Sequence, residues 1–160
     1  MSTLAAYSLI RTHRHADVDP LIRAWHSTHP YPRAMWMIAF LITDPDGQPV
    51  AVATWDHPTA PKEDQSHTLE LTRYAIGPTA PRNLGTWGLG RMRHWIRAHL
   101  PHISRLISYH DADAHHGTIY RADNWLEVYH KRKPNEGPWS HRPGRRPSQR
   151  THKVKWERTP

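Results

Sequence analysis

Between Ile107 and Trp125 the chain gathers side chains that can move protons: Ser108, Tyr109, His110, Asp111, Asp113, His115, His116 and Tyr120. A carboxylate where a strand ends can accept a proton or hold a substrate N–H, so Asp111 is the candidate base or positioning group. Tyr120 is the candidate acid. A phenol of pKa about 10 gives up a proton near neutral pH only if it is tuned or assisted. Arg73, close to Glu70 in sequence, can bind a carboxylate, a phosphate or a developing oxyanion, or form an ordinary ion pair with Glu70. Taken singly, each of these residues also fits a polar loop or a helix cap. As a set they carry more information than any one does.

Two other groupings have chemical spacing. Arg82-Asn83-Leu84-Gly85-Thr86 precedes an apolar-periodic run, and a helix start with small residues and free backbone N–H groups attracts anions. Trp87 follows it and is bulky enough to narrow such a cradle. His26 and His29 lie three apart at the end of an expected helix, where they would share a face and could bind a metal, or stand as two partly exposed histidines.

These side chains need elements to hold them. Ala6–Ile10 reads as a first strand. Asp19-Pro20 reads as a cap and first helical residue, opening a helix that must stop before Pro30. Trp36–Thr43 and Val50–Trp55 read as a hairpin joined by Asp44-Pro45-Asp46-Gly47, where Pro presets one φ and Gly permits a positive one. Thr68–Ile76 is the next strand, and Thr86–His99 a helix ended by Pro101. Leu106-Ile107 begins a buried strand that runs into the polar loop, and Thr118–Ala122 has helical spacing. Leu126–Tyr129 reads as a short strand, and the alternation of His152–Trp156 predicts a final edge strand. The expectation is an α/β (α+β) protein with a mixed, mostly antiparallel sheet and flanking helices. Residues 1–130 are expected to form the catalytic domain and 131–160 a basic extension.

Hydrophobic residues make up 37 % of the 160, and a single Phe stands against eight Trp and six Tyr, so indoles and phenols must fill much of the core. The absence of Cys excludes disulfides, thiolate metal sites and a Cys nucleophile. No run approaches the roughly 20 apolar residues of a membrane span, and the N-terminus lacks a signal-peptide pattern, so a cytoplasmic protein is expected. The net charge of +8 is unevenly placed. Residues 1–130 balance twelve Lys and Arg against twelve Asp and Glu, whereas residues 131–160 hold ten against two. Lys131, Arg132, Lys133, Arg142, Arg145 and Arg146 make that end a handle for a polyanion, or a merely solubilising tail.

The order Ser108-Tyr109-x-Asp111, a His and Gly117 a few residues on, then Ile119-Tyr120-x-Ala122-x-Asn124-Trp125, resembles the signature of the Mom family. Glu70-Leu71-Thr72-Arg73, Pro81-Arg82-Asn83 and Thr86 match upstream, and the resemblance covers roughly residues 20–130. The family consists of phage and prophage DNA-modification proteins with a GNAT-like acyltransferase fold. The resemblance implies conversion of adenine in double-stranded DNA to an N6-carbamoylmethyl derivative that blocks restriction, in the host cytoplasm if phage-encoded. It places Arg73, Thr86, Asp111 and Tyr120 on motif positions; Arg73, Asp111 and Tyr120, with Ser108 at the head of the signature, are the candidate catalytic set. It also implies acetyl-CoA or a related acyl-CoA as cofactor, with Arg82, Asn83, Gly85 and Thr86 as its pyrophosphate loop; Trp87 departs from the small residue usual in GNAT enzymes. The implied product needs a carbon–nitrogen bond at a methyl carbon, which plain acyl transfer does not make, so iron held by the Asp111 carboxylate with histidine from the His26–His29 turn, or from His115 and His116, enters as an expectation. Tyr31, Trp36, Trp55 and Tyr109 are available to stack an extruded base. Other readings are a GNAT-like N-acetyltransferase acting on a protein or small molecule, and a non-catalytic nucleic-acid-binding module.

Overall fold

The computed structural model describes residues 3–131 and 153–160. Seven strands form one sheet: β1 (Ser8–Thr12), β2 (Ile38–Thr43), β3 (Pro49–Asp56), β4 (Thr68–Ile76), β5 (Arg105–Asp111), β6 (Leu126–Lys131) and β7 (Lys153–Arg158). Their order is β1-β2-β3-β4-β5-β7-β6, and every pairing is antiparallel except β4 with β5. Helix α1 (His15–Trp25) lies on one face, packing Val18 and Ile22 against Ala39, Val52 and Ala75. The other face carries α2 (Leu84–His99) and the short α3 (Thr118–Ala122), whose Leu89, Met92, Ile96 and Tyr120 pack with Phe40, Trp55, Leu71, Leu106 and Trp156. Indoles do supply core volume: Trp55, Trp125 and Trp156 are buried.

Local chemistry explains most of the elements. The turn between β2 and β3 has Gly47 at φ 81°, and the Asp44 carboxylate accepts the N–H groups of Asp46 and Gln48. Strand β2 reads almost wholly apolar because helices cover both of its faces. Helix α1 begins five residues before the expected start, with Arg14 and His15 in place of Asp19 and Pro20 as cap and first helical residue. The Thr12 hydroxyl accepts the Arg14 N–H and donates to Asp17 at 2.8 Å, fixing an earlier first turn. Pro20 is tolerated inside because the carbonyl it leaves unpaired, that of Ala16, belongs to an exposed residue open to solvent.

Two expectations about the C-terminal part are corrected. The last strand is not an edge. β7 pairs with β5 from Leu106↔Arg158 to Asp111↔Lys153 and with β6 on its other side. Val154 and Trp156 are buried at 2 % and 1 % exposure, and that apolar alternation places the strand inside the sheet rather than at its rim. The boundary expected at residue 130 therefore falls within β6, and a strand from beyond it completes the same sheet.

Candidate functional site

The site exists because two parallel strands part. β4 and β5 pair from Thr68↔Arg105 to Leu71↔Ser108 and no further, although β4 continues to Ile76 and β5 to Asp111. The cause lies on the other edge of β4. Against β3, Trp55 faces Leu71 and Thr54 faces Arg73, so Thr72 is an extra residue in the ladder, a β-bulge. Its hydroxyl satisfies the disrupted edge by donating to the Thr54 carbonyl at 3.0 Å, and it lies 2.8 Å from the Thr54 hydroxyl. The bulge bends β4 away and leaves a cavity of about 600 Å³ between the strands, of the size of small-molecule sites.

Alternation along β5 divides the cavity in two. Ser108 and His110 project to the α2–α3 face, where Ser108 Oγ lies 2.7 Å from the Tyr120 hydroxyl. Tyr120 is stacked on Trp156 (centroids 5.5 Å apart, planes 14°) and edge-on to Trp125. Burial pushes its phenol up to about 12, against the opposing pull of the Ser108 hydrogen bond. The tuning is thus away from the thiol range of about 8.5, and outright proton transfer to a thiolate becomes uphill. The hydroxyl suits hydrogen-bond donation to developing charge better.

Tyr109 and Asp111 project to the opposite face, with Arg73, His26, His29 and Lys153. The expected convergence of Asp111 and Tyr120 therefore takes a different form: both line one cavity, from opposite faces of the sheet. Asp111 accepts the Asp113 N–H at 2.9 Å; burial and the Arg73 and Lys153 charges lower the His29 pKa, and the Asp111 charge offsets them only in part. Arg73 donates from Nε to the Tyr31 carbonyl (3.2 Å) and from Nη1 to the Thr72 carbonyl (2.7 Å), pinning the segment after α1 to the bulge. It forms no ion pair with Glu70, whose carboxylate accepts the Thr59 N–H at 2.6 Å. A second link closes this side: Ser27 Oγ lies 2.8 Å from His115 Nε2.

His26 and His29 do not share a helix face. α1 ends at Trp25, His26 caps it, and the His26 Nδ1 accepts the His29 N–H at 3.0 Å. That nitrogen is occupied, and among the described residues no group of three or more His, Asp or Glu is arranged to hold a metal ion. The expected iron site is not assembled by this pair. Burial, then the Arg73 charge, lowers His26 from 6.5 to about 4. Because the folded value lies below the unfolded one, its contribution to stability is full above pH 6.5 and is lost as pH falls toward 4. Thermal melts between pH 7 and 4 should show a falling midpoint, and His26→Asn should flatten that slope.

The expected pyrophosphate loop sits beside the cavity rather than in its wall. Asn83 turns the chain in the left-handed region (φ 68°), and no side-chain hydrogen bond caps α2. Arg82 is exposed. A Cβ on Gly85 would meet Ile76 Cδ1 at 2.8 Å and Ile119 Cγ2 at 2.9 Å, both side chains of cavity-lining residues. The Tyr74 hydroxyl donates to the Gly85 carbonyl, tying β4 to this turn. Trp87 does not narrow the cradle; it packs on the Ile42–Val50–Leu84 cluster beneath the Arg91 guanidinium. The first turn of α2, with Thr86 in it, thus offers amides, and Arg82 just before it a cation, beside the cleft, which fits an anionic cofactor tail.

Sequence reasoning counted His110 among the proton-moving side chains without giving it a role, and missed Trp156. Trp156 Nε1 donates to His110 Nδ1 at 2.7 Å. Gly117, at φ 68°, leaves room for both rings: a Cβ there would lie 2.6 Å from Trp156 Cζ2 and 2.9 Å from His110 Cε1. Gly117→Ala should cost about 1–3 kcal/mol from the left-handed backbone alone, more with the clash, as read by urea denaturation. Of the expected DNA-contacting residues, Lys131 ends β6, and Arg132, Lys133, Arg142, Arg145 and Arg146 lie outside the described residues.

A sequence model of the Mom protein family matches residues 9–157, which includes both walls of the cleft and β7 almost to its end. The chain belongs to the Mom protein family. No curated protein matches it in sequence. Solved structures share the fold at low identity. One is the spermidine N-acetyltransferase from Vibrio cholerae in complex with CoA and spermine, with TM-score 0.67, 10 % identity, 97 % of this chain and 96 % of that one. Another is an IAA acetyltransferase from Bacillus cereus, with TM-score 0.62, 10 % identity, and 96 % and 99 % covered. The expected GNAT-like mixed α/β architecture is the observed one. No helix among the described residues is long and apolar enough to cross a membrane.

Proposed function

We propose that this Mom-family chain is a transferase that modifies the N6 amino group of adenine in double-stranded DNA, giving an N6-carbamoylmethyl-type product that shields the DNA from restriction. The observation that carries the reading is the family match, which runs through every residue of the divided cavity. An acyl-CoA would supply an activated two-carbon unit when bound; making the N6–CH2 bond at its methyl carbon and the amide at its carbonyl takes, in addition, a two-electron oxidant and an ammonia-level nitrogen donor as co-substrates. Arg82 and the first-turn amides of Gly85 and Thr86 would hold its phosphates, with Asn83 turning the chain toward them. The Tyr120 hydroxyl, backed by Ser108, donates a hydrogen bond to charge that develops on the α2–α3 side.

The adenine enters from the opposite face. There Asp111 accepts an N6 proton or orients the amino group, and Arg73 and Lys153 keep the mouth positive for a phosphodiester. Of the four aromatics available for stacking, Trp55 is fully buried and donates to Met92 sulfur, and Trp36 packs against His15 on α1. Tyr109 is half-buried in the cleft, whereas Tyr31 is 63 % exposed on the segment Arg73 pins. Tyr31 is therefore the residue assigned to the extruded base.

Mass spectrometry of nucleosides from DNA of expressing cells tests the reading. A new adenine derivative of the carbamoylmethyl mass is expected; unmodified DNA with acetylated protein or amine would replace it with the N-acetyltransferase reading. The basic segment is tested by substitution, because deleting residues 131–160 would remove β7 from the middle of the sheet. Replacing Arg132, Lys133, Arg142, Arg145 and Arg146 with Ala should weaken DNA binding and lower the slope of log K against log salt by up to about 4. An unchanged slope would exclude those residues from the contact.

A further inference from the structure

We infer that His110 is a neutral hydrogen-bond donor to the carbonyl oxygen of the group bound in the cleft, and that Trp156 is the positioning residue that fixes it in that state. The inference rests on the acyl-donor reading of the cavity. It begins with one hydrogen bond. An indole N–H can only donate, so His110 Nδ1, which receives it at 2.7 Å, must be the unprotonated nitrogen. The ring's proton is then on Nε2. Among the described residues no hydrogen-bond partner engages Nε2, and His110 lines the cavity. The second ring nitrogen is thus a free N–H beside the Ser108–Tyr120 pair.

The arrangement is held from several sides. His110 is stacked with Trp156 (centroids 5.8 Å, planes 27°) and with Tyr120 (6.2 Å, 18°). Trp156 stacks on Tyr120 in turn and carries the Arg121 guanidinium 5.2 Å from its ring centre on another side. Gly117 supplies the space for both rings without a side chain. β7 is the strand that brings Trp156 here, opposite Ser108 in the ladder. An imidazolium would point an Nδ1–H at the indole N–H, so protonation would break this contact. Burial, His115 and Arg121 also disfavour the cation, while Glu127 and Asp111 oppose them; the net direction is downward.

A neutral imidazole N–H is a useful electrophile. It stabilises negative charge arriving on a carbonyl oxygen without first surrendering its proton, and it stays in the same form through neutral pH. The charge reaches that oxygen whether a nucleophile adds at the carbonyl carbon or a proton leaves the neighbouring carbon. In neither case does the Nε2 proton transfer; the hydrogen bond shortens as charge develops.

The test is multiple-bond ¹H–¹⁵N correlation on the full ¹⁵N-labelled chain, with acetyl-CoA as the probe. His110 should appear as a single Nε2–H tautomer between pH 6 and 8, and acetyl-CoA should move the Nε2 proton downfield. Trp156→Phe keeps the ring stack but should give a tautomer mixture. His110→Leu should lower DNA modification by about 10²-fold or more with acetyl-CoA affinity unchanged, and His110→Gln, which keeps an N–H, should lose less. An Nδ1–H or doubly protonated ring at pH 7 would overturn the Trp156 assignment. Bound acetyl-CoA with no change at Nε2 would overturn the donor role, and failure of acetyl-CoA to bind would bring down the acyl-donor reading with it. If the unaltered chain modifies no DNA, the adenine reading fails while the Nε2 resonance still decides the donor role.

Discussion

Replacing Tyr120 with Phe is expected to lower DNA modification by about 10²-fold or more while leaving the fold in place. The hydroxyl is the only atom lost, and the ring keeps its stack on Trp156 and its edge contact with Trp125. The structural cost is one buried hydrogen bond, that to Ser108, worth about 1 kcal/mol. A large fall in activity with so small a fall in stability separates a role at the reacting atoms from a role in packing. Ser108→Ala should fall between the two, because it leaves the phenol in place but removes its partner. Nucleoside mass spectrometry measures the product, and urea denaturation measures the fold. Equal modification by Tyr120→Phe and the unaltered chain would remove Tyr120 from the mechanism.

The largest loss of stability is expected from Asp123→Ala. The Asp123 carboxylate receives Nε and Nη2 of Arg93, each at 2.7 Å, and the Trp125 indole N–H at 2.8 Å. Both charged side chains are 9 % exposed. Arg158 donates to the Asp123 carbonyl, so one residue joins α2, the end of α3, the approach to β6, and β7. Removing the carboxylate strands a guanidinium in the core, which costs about 3–5 kcal/mol. For a chain of this size that corresponds to a fall of about 10 °C in melting temperature. The double change Arg93→Met with Asp123→Leu should recover much of it, since the penalty comes from the unpaired charge and not from the missing pair. A melting point within a degree or two of the unaltered chain for Asp123→Ala would show that water reaches Arg93.

These two residues stand for what could and could not be read in the amino-acid order. Tyr120 was legible because its surroundings are local: a strand, a polar loop and a short helix lie within twenty residues, and motif spacing reports such neighbours. Its pairing with Ser108 spans only twelve positions. The Arg93–Asp123 pair spans thirty, and nothing in a run of Arg91, Arg93 and Arg97 says which guanidinium turns inward. The same limit hid the division of the cavity. Alternation alone puts Asp111 and Ser108 on opposite faces of a strand, but only once the strand is known to run regularly as far as Asp111, which the polar run His110-Asp111 does not show.

What the amino-acid order determined by itself is the inventory of elements and the chemistry each could offer. Hydrophobic period, the Asp44–Gly47 turn and the Tyr120 motif are short-range signals, and they placed the hairpin, β4, most of α2 and α3 close to where they lie. Tertiary structure alone decided the rest. The bulge at Thr72 depends on register against β3, and it is what parts β4 from β5. The seat of β7 between β5 and β6 depends on pairings across the whole second half of the chain. Through it a Trp from the C-terminal strand comes to fix the tautomer of a histidine in the cleft, a contact between positions 46 apart that no local pattern encodes.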